Sequence, residues 1–189
     1  MIDSKERLKY YLEQDRLALH YSKKRPSLFK DEIWKFEILL RKNEYSTNCL
    51  NKFWFKPYKC FIKYRFHELA IKLGFTIPLN RIGPGFSIAH YGLLTIGNSK
   101  IGKNCRIQEG VNIGATGRVD KAAVIGDNVF IGTGAKIIGN IEIADNVVIG
   151  AGSVVVKNIT TKHVTVAGVP AKIISKNDSP NFIKKRIIY

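Results

Sequence analysis

The chain has 189 residues, 45% of them hydrophobic, and a formal net charge of +16. That length and apolar content suit one core-forming domain with an appendage, and exclude a chain too polar to fold. The charge is split evenly, 17 basic against 9 acidic side chains in residues 1–80 and 14 against 6 in residues 81–189, and no nucleic-acid motif accompanies it. A phosphorylated cofactor, an acidic glycan or an anionic membrane face accounts for it as well, so nucleic acid is not the expected partner. Cys49, Cys60 and Cys105 lack paired or metal-type spacing, which fits a reducing compartment. The charged opening MIDSKERLKYYLEQDRL predicts neither a signal peptide nor a membrane span, and a cytoplasmic location is expected, with the inner face of the membrane as a refinement.

Residues 1–74 are expected to form a helical region. Leu8, Tyr11, Leu12, Asp15 and Leu19 outline an amphipathic helix that the basic loop Lys23-Lys24-Arg25-Pro26 breaks. Ile33, Trp34, Phe36, Glu37, Leu40 and Lys42 predict a second helix, and a third is expected over Tyr58–Leu73, with Gly74 as its C-cap. The segment 53–66 mixes aromatics with lysines. It reads as packing against another part of the molecule or another subunit, or as peripheral contact with a membrane surface.

From Ile101 onward the pattern changes. Ile101, Ile107, Ile113, Val119, Ile125, Ile131, Ile137, Ile143, Ile149 and Val155 fall on every sixth position. A helix repeats every 3.6 residues and a strand every 2, so neither alone produces this period; a parallel β-helix does, one short strand and one turn per hexad. The expected architecture is mainly β, with the coil over residues 75–174 and a basic tail over 175–189. If three hexads make one turn, residues 18 apart lie above one another, which stacks the small residues Ala115, Thr133 and Ala151 along one edge and leaves a groove lined by backbone. Upstream, Ile82, Ile88 and Leu94 keep the step of six, and Ile101 then arrives seven later. Allowing for that slip, His90 lies over Glu109, with Asp127 one level below. A histidine above a carboxylate suits a general base with an orienting acid; the same pair also reads as a surface histidine beside a surface glutamate. His20, His67 and His163 have no comparable setting, and no cluster suggests a metal.

Gly83-Pro84-Gly85-Phe86-Ser87-Ile88-Ala89-His90, Gly114-Ala115-Thr116-Gly117, residues 131–141 (IGTGAKIIGNI), Gly150-Ala151-Gly152-Ser153-Val154-Val155 and Ala167-Gly168-Val169-Pro170-Ala171-Lys172 resemble the hexapeptide-repeat acyltransferases, specifically the serine acetyltransferase-like branch. The helical region around Asp31-Glu32-Ile33-Trp34 resembles bacterial members linked to surface polysaccharides. The resemblance implies a left-handed parallel β-helix with an N-terminal α-helical cap, a homotrimer, and acetyl-CoA as donor. It implies that His90 removes the acceptor's hydroxyl proton, and that Gly114, Ala115, Gly132, Thr133 and Ala151 line the donor's arm. Lys172 is the candidate for a coenzyme A phosphate. Because His90 and the Ala115 edge fall on different corners, sites shared between subunits are expected.

True serine acetyltransferases carry an aspartate just before the histidine and another fifteen residues upstream of it. Those positions here are Ala89 and Phe75, and the family's Arg-His pair matches Lys121 and Ala122. The expected acceptor is therefore a cell-surface polysaccharide sugar, with Glu109 as the partner of His90 or as an acceptor contact. Serine O-acetylation in cysteine biosynthesis and a non-catalytic scaffold are the alternatives.

Overall fold

The computed structural model describes residues 1–117, 122–179 and 182–183. Three helices precede the coil: α1 (Lys5–Ala18), α2 (Glu32–Cys49) and, after a 3-10 turn at Phe53–Phe55, α3 (Lys56–Leu73). The Ser4 hydroxyl caps α1 by accepting from Arg7 N at 3.1 Å. Gly74 closes α3 in the left-handed region (φ 77°), the conformation its C-cap role requires.

The rest of the chain winds into a prism with three faces of parallel strands. The first face holds β1 (Phe75–Thr76), β3 (Leu94–Ile96), β6 (Asn112–Gly114), β9 (Lys136–Ile138) and β12 (Val154–Val155). The second holds β4 (Lys100–Ile101), β7 (Val124–Ile125) and β10 (Glu142–Ile143). The third holds β2 (Ser87–Ile88), β5 (Arg106–Ile107), β8 (Phe130–Ile131), β11 (Val148–Ile149), β13 (Thr165–Gly168) and an antiparallel closing strand, β14 (Ala171–Ser175). The hexad residues point into the prism: Ile88, Ile107, Ile131, Ile149 and Val166 form one buried stack in register. Successive coils are about 4.8 Å apart, the ordinary strand spacing.

The register departs from a uniform 18 in the first coils, at one long step in the middle and in the last coil, where Ile143 and Ile149 pair with Ile159 and Val166. Ile82 and Ile88 pair 19 residues on, with Ile101 and Ile107, whereas Ile96 pairs 17 on, with Ile113. The expected single slip is thus two extra residues after Ile88 and one fewer after Ile96. Further on, Ile101, Ile107 and Ile113 pair with Ile125, Ile131 and Ile137, each 24 residues away. Six additional residues therefore lie between Ile113 and Ile125. Val119 itself lies outside the described residues.

One corner carries an asparagine ladder. Asn104, Asn128 and Asn146 all have positive φ (54°, 56° and 59°), a conformation asparagine tolerates better than most residues. Their side-chain amides donate down the stack at 2.8 and 3.0 Å, and His163 ends it 3.3 Å from Asn146.

The helical cap covers the open edge of the third face with charged groups. Asp15 accepts from Gly85 N and Phe86 N at 2.8 and 2.9 Å, and Glu37 accepts from Ile88 N at 3.0 Å. Arg41, fully buried, binds Asp15 at 2.7 Å and Glu44 at 3.1 Å and donates to the Ile82 and Gly83 carbonyls. These carboxylates occupy the hydrogen-bonding places of a further strand.

Glu37 is 1% exposed, and its second oxygen is buried without a partner. Burial, followed by the nearby Asp15 charge, pushes its carboxyl well above the usual range. A raised carboxyl favours folding at low pH and loses that contribution as pH rises from its unfolded value toward its folded one. Glu37→Gln keeps the acceptor for Ile88 N without a proton to lose. The variant is expected to melt at or above the wild-type temperature, with the gap widening from pH 5 to pH 8. A gap that narrows over that range contradicts the assignment.

Candidate active site

Each candidate side chain on the third face follows its buried aliphatic residue by two positions: His90 after Ile88, Glu109 after Ile107, Thr133 after Ile131 and Ala151 after Ile149. Because those aliphatics are in register, the four fall in one column at the corner where the chain leaves this face. The adjacent column runs Ala89, Gln108, Gly132, Gly150 and Ala167, and Lys172 pairs with Ala167 on the closing strand. His90, Glu109, Gly132, Thr133, Ala151 and Lys172 are thereby assembled along one corner.

Three expectations need correction. Thr133 and Ala151, expected on a different corner from His90, share its column. Asp127 is not below Glu109; Thr133 is, because the step from Ile107 to Ile131 is 24 residues rather than 18. Asp127 belongs to another corner, where it accepts from Lys103 N at 2.7 Å. Ala115 does not share an edge with Thr133 and Ala151 for the same reason. It follows β6 on the first face, where Gly114 O accepts from Gly139 N at 2.9 Å, so Gly114 and Ala115 lie at a different corner from the His90 column.

His90 is exposed. Glu109 is half-buried and one of its oxygens is buried without a hydrogen-bond partner. Its own backbone N–H lowers its carboxyl below the usual value, helped by the Thr133 hydroxyl and the His90 ring and opposed by burial. Thr133 has one hydroxyl proton for two neighbours, and the geometry gives it to Gln108 Oε1 at 2.9 Å; Thr133 N donates to the same oxygen at 3.1 Å. Glu109 is therefore an anion with spare acceptor capacity, able to orient an imidazole or receive a hydroxyl proton.

The corner also has room. A side chain added at Gly134 or Gly152, both at positive φ, would meet nothing within 4 Å. At Gly132 a Cβ would come 2.7 Å from Ala151 N, so glycine there lets adjacent coils stack closely. The result is an open corner with uncrowded backbone at Gly134 and Gly152.

Gln108, Gly92 and Tyr91 were not anticipated. Gly92 (φ 133°) crosses directly over Glu109, whose Cβ would lie 3.3 Å from any Cβ placed there. The Tyr91 hydroxyl meets Glu32 Oε2 at 3.5 Å, joining the histidine loop to the start of α2. Gln108 was recoverable from the period, one position ahead of Glu109; the Tyr91–Glu32 pair leaves no sequence signal. Phe75 is a core residue, edge-on to Phe36 at 5.1 Å, while Lys121 lies outside the described residues. Among the described residues no group of three or more histidine, cysteine or acidic side chains forms a metal site.

The bacterial transferase hexapeptide (six repeats) family matches residues 122–157. Solved structures extend the likeness through the helical cap. A serine acetyltransferase from Brucella abortus in complex with coenzyme A is 27% identical with a TM-score of 0.68, covering 93% of this chain and 70% of its own. Residues 122–157 thus carry the bacterial transferase hexapeptide repeat, and the chain as a whole is similar to serine acetyltransferases. The Neisseria gonorrhoeae serine acetyltransferase in complex with serine is 28% identical to this chain, with a TM-score of 0.68 and coverage of 88% and 69%. The soybean apoenzyme gives 27%, 0.69, 88% and 69%. No curated protein sequence matches this chain. Its coil is accordingly the left-handed form, the exception to right-handed crossovers.

Proposed function

We propose that the protein moves an acetyl group from acetyl-CoA to an acceptor hydroxyl, with His90 as general base. The observation that carries this is the column His90–Glu109–Thr133–Ala151, which runs from an exposed imidazole down an open, backbone-lined corner. His90 takes the hydroxyl proton as the acceptor oxygen attacks the thioester carbonyl. The carbon–sulfur bond then breaks, and the leaving thiolate receives the proton from the imidazolium. Glu109 holds the imidazole or the acceptor. Gly132, Thr133 and Ala151 hold the pantetheine arm, and Lys172, exposed on β14, contacts a phosphate.

Gly114 and Ala115 lie on another corner of the same prism. A second chain that brings this corner against the His90 column completes the site, which supports a C3 trimer with active sites between subunits. An active monomer by mass measurement removes this arrangement.

The similarity to serine acetyltransferases, one of them solved with serine, supports serine as acceptor and reverses the order expected from the sequence. One observation sustains the sugar reading. Ala89 and the buried Phe75 stand where the resemblance places carboxylates, so an amino acid's ammonium group would lack those partners. Thiol release from acetyl-CoA, with L-serine in one reaction and a surface-glycan extract in the other, separates them. Turnover with serine alone establishes the first, glycan alone the second, and neither removes the proposal.

Thr133→Trp is expected to raise the KM for acetyl-CoA at least about tenfold by filling the groove, while the thermal midpoint is retained because the side chain points outward. An unchanged donor KM displaces the donor from this corner.

A further inference from the structure

The active-site corner makes no use of the outer face of α3. Of its 18 residues only Ile62 and Leu73 are fully buried; with Phe66 and Leu69 they form the seam that packs on the cap and coil, where Phe66 stacks on Phe36 at 5.1 Å. The opposite arc exposes Phe61, Tyr64 and Ile71, at 58%, 61% and 68%. The preceding 3-10 turn adds Phe53 and Trp54, exposed at 73% and 56%. Around these apolar groups residues 52–72 place six basic side chains, Lys52, Lys56, Lys59, Lys63, Arg65 and Lys72, against one acid, Glu68, which pairs with Arg65 at 3.6 Å. Lys56, Lys59 and Lys63 flank the aromatic arc on one side, and Arg65 and Lys72 flank it on the other.

An apolar arc with a tryptophan at its tip and lysines along both margins has the form of a helix that lies in a lipid interface, its aliphatic stems reaching toward headgroups. No helix among the described residues is long and apolar enough to cross a membrane, so the contact is with the surface. A second copy of the same face is the less favoured occupant, because it would oppose two like-charged margins. We infer that the turn at Phe53–Phe55 and the outer arc of α3 dock on an anionic bilayer, with the aromatics entering the interface and the lysines meeting lipid phosphates. This is independent of which hydroxyl is acetylated.

The full chain is mixed with vesicles of phosphatidylcholine alone or with phosphatidylglycerol, and read by co-sedimentation and by tryptophan emission. Trp34 is 2% exposed and serves as a silent background, so a blue shift reports Trp54. The expected result is a blue shift and sedimentation with anionic vesicles only. Lys56→Glu/Lys59→Glu/Lys63→Glu is expected to weaken partitioning at least about tenfold, and Trp54→Ala/Phe61→Ala to abolish insertion. Lys24→Glu/Lys42→Glu, off this face, is expected to retain binding, and acetyl-CoA turnover on a soluble acceptor stays unchanged in all three. Absence of binding to anionic vesicles overturns the inference, as does equal loss with the off-face pair. Self-association that Trp54→Ala/Phe61→Ala abolishes, or a Trp54 shift with an oligonucleotide but not with vesicles, overturns it by naming a different occupant.

Discussion

His90→Ala lowers turnover by about two to four orders of magnitude, the range set by losing a positioned general base. The size of the effect rests on the position of the side chain. It is exposed and makes no hydrogen bond that ties the fold together, so truncation leaves the coil intact; the thermal midpoint is expected to stay within error. Coenzyme A affinity is expected to persist, because Gly132, Thr133, Ala151 and Lys172 lie two or more coils further along the same corner. Steady-state kinetics paired with calorimetric titration of coenzyme A resolves the two effects. A near-normal rate removes His90 from the chemistry, whereas loss of both rate and donor affinity makes it a binding residue. Glu109→Gln supplies the comparison: as a positioning residue it is expected to lower kcat with a smaller change in donor KM, and as an acceptor contact to raise acceptor KM first.

Arg41→Met destabilises the protein by about 3–5 kcal/mol, the cost of leaving buried carboxylates without their cation. Arg41 is the sole cation in contact with both Asp15 and Glu44 among the described residues, and it also satisfies two carbonyls of the first coil. At roughly 2–4 °C per kcal/mol for a chain of this size, the thermal midpoint falls by about 6–20 °C. Arg41→Lys recovers part of this, since one ammonium cannot span two carboxylates and two carbonyls as the planar guanidinium does. Neutralising the partners as well, with Asp15→Asn and Glu44→Gln in the Arg41→Met background, is expected to restore stability beyond the single variant. An unchanged midpoint for Arg41→Met would mean that the cluster is hydrated rather than buried.

The period of six made the coil legible, because one inward aliphatic per wall is what a narrow prism can hold. The same period concealed the largest irregularity. An insertion of six residues keeps the later aliphatics in phase, so counting hexads cannot detect it; only the pairing of Ile101, Ile107 and Ile113 with Ile125, Ile131 and Ile137 does so. The misplacement of Asp127 and Ala115 follows from that one ambiguity, and so does the correct placement of Thr133 over Ala151, which lie past the insertion. His90 over Glu109 was recovered since both precede it. The three helices were legible from their apolar spacing, and Gly74 from its cap. Asp15, Glu37, Arg41 and Glu44 were not, because a buried charge and a surface charge look alike until the neighbouring chain segment is known.

The carboxylates that cover β2 have a consequence beyond stability. A coil has two ends, and at each the next strand is missing. At the far end β14 turns back antiparallel and fills the vacancy from within. At the near end the vacancy is filled by Asp15 and Glu37, side chains that satisfy amides yet cannot be extended into a ladder. If the cap lifts, the amides of Gly85, Phe86 and Ile88 become a bare edge on an otherwise intact prism, open to any strand that arrives. The acid side chains at this seam therefore act as a stopper, holding shut the one edge of the third face that the backbone itself leaves open.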